Sequence, residues 1–250
     1  MNNERSVEYS QKIVIFFDIL GFKDLIDNNT PGLIDDILRT VYLSSEQPFE
    51  NCYSINFSDS IIQIFEPHRD MGGDEKSDFT DYVNNLLDAV QRAQNTLLLN
   101  YKVVIRGAMV LGDIYYNKET NTIFGPALNL AATLEEREAV YPRVILDESI
   151  VEKLDVKDNE QLVFYNYAID DDGRYYADLF QYIVKTKYEK SAKLPVLKTK
   201  VEEIINEIKA REMNVEKKER IMDKYNWLIK KIEIRENEDF DAARERLSKK

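Results

Sequence analysis

The sequence predicts an α+β fold of order β-α-β-β-α-β, with helices on one face of a mainly antiparallel sheet and a helical hairpin at the C-terminus. Three observations predict it. KIVIFF (12–17) is a short unbroken apolar run of strand length. YSINFSDSIIQIF (53–65) is two strands around a polar turn. Between and beyond them lie segments with apolar residues at helical spacing, the longest over 78–100.

In order, KIVIFF reads as a fully buried strand ended by Asp18, and GFKDLIDNN opens a short helix. Thr30 and Pro31 are an N-cap and a first-turn proline, so LIDDILRTVYL is a helix. In the hairpin, Tyr53, Ile55 and Phe57 alternate with Ser54, Asn56 and Ser58. A polar loop is expected over 66–77. Val83, Leu86, Leu87, Val90, Ala93 and Leu97 then mark a helix. VVIRGAMVLG is a strand, YYNKETNTIFG a hairpin, PALNLAATLEEREAV a helix, RVILD a strand and ESIVEKL a helix. FYNYAIDDDGRYYADLFQYI is a last hairpin turning at DDDG. Composition shifts to Lys and Glu after about residue 188, so we divide the chain into 1–188 and 189–250. There Val201, Ile204, Ile205 and Ile208 mark one amphipathic helix and Ile221, Tyr225, Leu228, Ile229 and Ile232 a second, with Asn214 as the break. Such a hairpin suits packing or dimerisation.

The net charge of −12 opposes a general grip on nucleic acid or anionic lipid, although a local phosphate site is compatible with it. No apolar run is long enough to span a membrane. The N-terminus lacks the pattern of a signal peptide, and the single cysteine, Cys52, permits no intrachain disulfide. These features favour the cytoplasm.

Asp18, at a strand end leading into a helix, reads either as an N-cap or as a ligand for a divalent metal. Asp59, at the hairpin tip, reads as turn chemistry unless the hairpin lies beside the first strand. In that case the two carboxylates face one another, an arrangement that a cation between them would make tolerable. Leu20 stands where a haloacid-dehalogenase phosphatase would carry its second Asp, which opposes that chemistry.

FDILGF (17–22), FSDSIIQIF (57–65), RGAMVLGDIY (106–115) and FGPALNLAATLE (124–135) occur in this order and resemble the catalytic domain of class III nucleotide cyclases over about residues 12–185. The resemblance implies a ferredoxin-like palm and a homodimer with sites between chains. It also implies two Mn²⁺ or Mg²⁺ ions per site, held by Asp18 and Asp59 with Ile19 adjoining, and a nucleoside triphosphate substrate. The backbone of Leu20, Gly21 and Phe22 would cradle phosphates, and Asn129 of the Gly125-Asn129-Ala131 helix would serve the reaction. Purine cyclases carry a base-reading Lys where this chain has Ile55 and an Asp where it has Thr122, so ATP and GTP are disfavoured. The family's transition-state Arg is Thr133 here, and Arg106 is the candidate substitute, with structural ion pairing as its alternative. The segments LEEREAVYPRVILDES and DDDGRYYADLF further resemble the pyrimidine cyclases of bacterial Pycsar antiphage systems. That implies synthesis of cyclic UMP or cyclic CMP, acting on a separately encoded effector. Tyr53 then reads as a base-stacking residue or a core tyrosine, and Arg143 as a ligand contact or a structural residue. A cyclase-like module that binds nucleotide without turnover is the competing reading. GGDE (72–75) lies in the polar loop and His68 in the same loop; neither is assigned a function, and Cys52 reads as a small buried hydrophobe.

Overall fold

Ile13, Ile15, Phe17 and Ile19 alternate with Val14 and Phe16, so the first strand is apolar on both sides and needs cover on both. The computed structural model, which describes residues 8–42, 52–67, 74–154, 166–180 and 187–237, provides that cover. Strand β1 (Ser10–Ile19) lies centrally, antiparallel to β3 (Ser60–Phe65) on one side and to β4 (Ile105–Asn117) on the other. β2 (Tyr53–Phe57) pairs antiparallel with β3 at the sheet edge. The crossover from β1 to β2 is made by α1 (Phe22–Asn28) and α2 (Pro31–Val41), and that from β3 to β4 by α3 (Glu75–Thr96). Each crossover returns with one strand between its ends, which is the ferredoxin-like βαββαβ arrangement expected from the sequence.

The chain then adds β5 (Thr122–Phe124), paired to the end of β4, and α4 (Pro126–Arg137). β6 (Val144–Leu146) runs parallel to β4, α5 (Glu148–Val151) follows, and β7 (Tyr167–Ile169) and β8 (Tyr175–Ala177) extend the sheet. The order is β2-β3-β1-β4-β6-β8-β7, with β5 off that path. α6 (Lys187–Ala210) and α7 (Val215–Asn237) form the C-terminal hairpin, and the Asn214 carboxamide caps α7 by accepting from Lys217 N. Among the described residues, no helix is long and apolar enough to cross a membrane.

Helices cover both faces of the sheet, not one. Ile13, Ile15, Phe17 and Ile19 pack with Phe22, Ile37, Leu86 and Val90 beneath α1–α3. Val14, Ile62, Ile64, Ala108 and Val110 pack with Ala131 and Leu134 of α4 and with Val201, Ile204, Leu228 and Ile232 of the hairpin. Burial of such side chains is worth roughly 1.5–3 kcal/mol each, so the hairpin is a main source of cover for the second face. Asp74, the third residue of GGDE, is the N-cap of α3, its carboxylate accepting from Lys76 N and Ser77 N. Gly72, Gly73 and His68 lie outside the described residues.

Candidate active site

Even-numbered residues of β1 point to the second face, and Asp18 is the last of them. Its register neighbours are Ser60 on β3 and Arg106 on β4. The β2–β3 turn puts Ser58 at φ 59°, and the Asp59 carbonyl accepts Ile19 N at 3.1 Å. Asp59 is therefore a turn residue whose turn is docked on the end of β1, beside Asp18. Both carboxylates are partly exposed. After Leu20 the chain turns into α1 through Gly21 at φ 79°, a conformation any other residue would adopt at a cost.

The amides expected to cradle phosphate divide. Ile19 N is spent on Asp59 O, and Leu20 N on Val104 O at 3.0 Å. Among the described residues, Gly21 N and Phe22 N make no such bond. The Ile19 and Phe22 side chains are buried in the first core, so Ile19 can meet a metal only through its carbonyl.

Arg106 stands opposite Asp18. Its Nε donates to Asp18 Oδ2 at 3.0 Å, its Nη1 approaches Ala139 O at 3.5 Å, and its Nη2 lies 2.6 Å from Glu135 Oε1. The next residue must be glycine, since a Cβ on Gly107 would stand 2.3 Å from Phe16 O. That close approach of β4 to β1 is what seats Arg106 against Asp18. Glu135 Oε1, although near the guanidinium, is buried without a properly angled hydrogen bond. Burial pushes the Glu135 carboxyl up to about 7; Arg106 opposes the rise, while Asp18, Glu136 and Asp59 add to it. One corner thus gathers Asp18 and Glu135 on the Arg106 guanidinium, with Asp59 close enough to act on Glu135. An orphaned buried carboxylate oxygen and an excess of negative charge fit a divalent cation, which Mg²⁺ or Mn²⁺ would supply with substrate phosphates completing the shell. Among the described residues, no three His, Cys, Asp or Glu side chains form a complete ligand cluster.

Other sequence-predicted residues lie elsewhere. Asn129 is exposed on α4, six residues from Glu135 and so on another side of the helix. Its carbonyl accepts Thr133 Oγ1 at 2.8 Å, and Thr133 is exposed as well. Tyr53 is buried, donates its hydroxyl to Asn121 Oδ1 at 3.1 Å and stacks on Tyr116 at 5.2 Å between centroids. Thr122 follows Asn121 and is exposed, its hydroxyl 2.9 Å from that of Thr120. Ile55, paired with Ile62, lies between Tyr53 and the Asp18 end. The register puts Tyr53 four residues and two strands from Asp18, on the order of 15 Å.

Arg143, expected either at a ligand or as a structural residue, is enclosed by the protein. It is 1% exposed and ion-paired with Asp170 and Asp172, and its Nη2 also donates to Glu138 O at 3.3 Å. Asp170 further accepts from Trp227 Nε1 at 3.1 Å and from Lys231 Nζ at 2.5 Å. The guanidinium therefore ties β6 and the β7–β8 turn to α7 and is closed to a ligand.

Two residues at this corner escaped the sequence reading. Glu135 sits at the end of α4's buried stripe of Ala127, Ala131 and Leu134, and an acidic residue beside such a stripe is the signal that was there to find. Lys224 of α7 is held below the usual lysine value by burial, with Arg106 acting in the same direction and Asp18 and Glu135 against it. Nothing local in the sequence marks it.

No family model and no curated relative matches the sequence. Among solved structures, the chain is similar to the catalytic core of a rhodopsin-guanylyl cyclase with converted specificity in complex with ATPαS, at 14% identity and TM-score 0.44, over 68% of this chain and 96% of that one. It is similar at 13% identity and TM-score 0.47 to the monomeric guanylyl cyclase domain of the RhoGC fusion protein from the aquatic fungus Blastocladiella emersonii, over 68% and 95%. A bacterial light-regulated adenylyl cyclase matches at 15% identity and TM-score 0.43, over 61% of this chain and 47% of that one. At such identities and scores, the case for an activity has to come from the chain's own residues.

Proposed function

We propose that this chain is a nucleotide cyclase that converts UTP or CTP to the 3′,5′-cyclic monophosphate and diphosphate. The observation that carries the reading is the meeting of Asp18 with the Asp59 turn, in a corner where Glu135 adds a third carboxylate and Arg106 pairs with Asp18 and Glu135. Asp18 and Asp59 would hold two Mn²⁺ or Mg²⁺ ions, with the Ile19 carbonyl adjoining. Bound there, the ions would acidify the ribose 3′-hydroxyl and neutralise the departing diphosphate. Gly21 and Phe22 would offer their amides to the phosphates. Arg106, released from Asp18 by the incoming cation, would face the charge that develops on the α-phosphoryl group. The 3′-oxygen forms its bond to the α-phosphorus as the bond to diphosphate breaks, and the hydroxyl proton passes to solvent.

Ile55 and Thr122 supply no hydrogen-bonding pair for a purine edge, while Tyr53 is a core residue stacked on Tyr116 and adds no support for a base. The missing pair supports a pyrimidine substrate, with UTP ahead of CTP. The solvent-facing Asn129 suits a homodimer in which α4 of one chain serves the other's carboxylates. The product would be a second messenger for a separately encoded effector in antiphage defence, made in the cytoplasm. A module that binds nucleotide without turnover is the second reading. In its favour, Arg106 is already engaged by Asp18 and Glu135 while Thr133 offers no cation.

The test is incubation with Mn²⁺ and each of the four nucleoside triphosphates, with products identified by mass. Cyclic UMP or cyclic CMP is expected. Cyclic AMP or cyclic GMP with no pyrimidine product returns the chain to the purine branch, and no product from any of the four favours the binding module.

A further inference from the structure

We propose that α7 is part of this site, and that Lys217, Arg220 and Lys224 form a cationic row that holds the polyphosphate of the substrate beside the Asp18–Asp59 corner. The spacing puts the three on one stripe of the helix, adjoining the stripe of Ile221, Tyr225, Leu228 and Ile232 that packs on the sheet. The other cations of α7 are matched. Lys230 pairs with Asp171, Lys231 with Asp170 and Arg235 with Asp178, while Lys218 donates to Lys209 O. Lys217, Arg220 and Lys224 make no ion pair among the described residues. In a chain of net charge −12, three neighbouring cations without an ion pair among the described residues form a local positive stripe open to an anion from outside.

Their position says which anion. Two cavities meet at Lys217, Ile221 and Lys224. One, of about 850 Å³, runs to Leu20, Gly21 and Lys102. The other, of about 450 Å³, is bounded by Val140 and Arg220. Lys224 thus stands between the turn that follows Asp18 and the residue after Ala139, whose carbonyl Arg106 approaches. The acidic groups facing the larger cavity are Asp24, Glu207 and Glu212. Asp24 is answered by Arg211 at 3.6 Å and Glu207 by Lys102 at 2.5 Å. Asp223 borders the smaller one. The larger cavity falls in the size range of small-molecule sites, and a polyphosphate bound there would bring anionic oxygens to lysines that have no partner of their own. The row supplies in the same chain a positive charge that Thr133 does not.

Naming the ligand as a polyphosphate rests on the cyclase reading, so the test separates the two. The full chain, with Mg²⁺, is titrated with inorganic triphosphate as wild type, as Lys217→Gln/Arg220→Gln, as Lys224→Met, and as Lys218→Gln for control. The double variant changes exposed residues, so it carries the test if Lys224→Met does not fold. At least about a ten-fold rise in Kd is expected in the row variants, the loss of one charge-assisted hydrogen bond. The salt dependence of binding should weaken with it, and Lys218→Gln should bind as wild type. KM for the triphosphate substrate should rise in parallel. Wild-type affinity in the double variant, or no binding of triphosphate by the wild type, overturns the proposal. Turnover with unchanged KM in the row variants overturns it while leaving the cyclase reading intact. Loss of triphosphate binding in a chain that cyclises nothing upholds it and removes that reading.

Discussion

Arg106 donates from Nε to Asp18 Oδ2 at 3.0 Å across the β1–β4 pair, 88 residues apart in the chain. The same guanidinium lies 2.6 Å from Glu135, so one cation answers a buried and a partly buried carboxylate. Arg106→Met should leave both unanswered and cost about 2 kcal/mol of stability, read as a lower midpoint in urea. Turnover should fall by a hundred-fold or more on the scale of a lost transition-state donor. An Arg106→Met chain with normal turnover would remove Arg106 from the reaction.

Glu135 sets a pH dependence. Its carboxyl holds a proton up to about 7 in the folded chain, against an ordinary value of 4.5. Between those values the folded state binds more protons than the unfolded one, so stability falls as pH rises through that window, by an amount on the order of 3 kcal/mol. Glu135→Gln should flatten the fall. Thermal melting in chelator at pH 5 and pH 8 is the measurement, and the variant should be the more stable of the two only at pH 8.

Asp59 meets β1 through its backbone, so its side chain is separable from the fold. Asp59→Ala should melt within about 0.5 kcal/mol of wild type, yet lose the stabilisation that Mn²⁺ confers and lose cyclisation. Unchanged Mn²⁺ stabilisation would place the metal elsewhere.

Arg143 gives the opposite pattern. Arg143→Met strips the buried Asp170 of one of its cations and should cost about 3–5 kcal/mol. Whatever fraction folds should bind triphosphate with wild-type affinity. A selective loss of affinity at normal stability would return Arg143 to the ligand.

Truncation after Lys190 uncovers Val14, Ile64 and Val110 on the second face of the sheet. The shortened chain should aggregate or bind a hydrophobic dye, and no cooperative melt should remain. A soluble product with unchanged melting would show the hairpin to be an accessory and uphold a domain boundary near residue 188.

The sequence determined by itself what depends on near neighbours. The period of β1 fixed it as a strand with two apolar faces, Thr30-Pro31 started α2, and Ser58-Asp59-Ser60 made a hairpin turn. The order of these elements left a ferredoxin-like sheet as the arrangement in which each crossover packs, and that sheet brings the Asp59 turn to the end of β1. Tertiary structure alone decided which cation answers which carboxylate. Arg143 and Arg106 each sit beside a glycine or proline at a strand start, and sequence spacing treats them alike. Register gave Arg106 to Asp18, while the β7–β8 turn and α7 enclosed Arg143 with Asp170 and Asp172. The same holds for Glu135 and Lys224, which reach one corner from α4 and α7. Coulomb energy depends on separation in space and on burial, and neither is a local property of the chain.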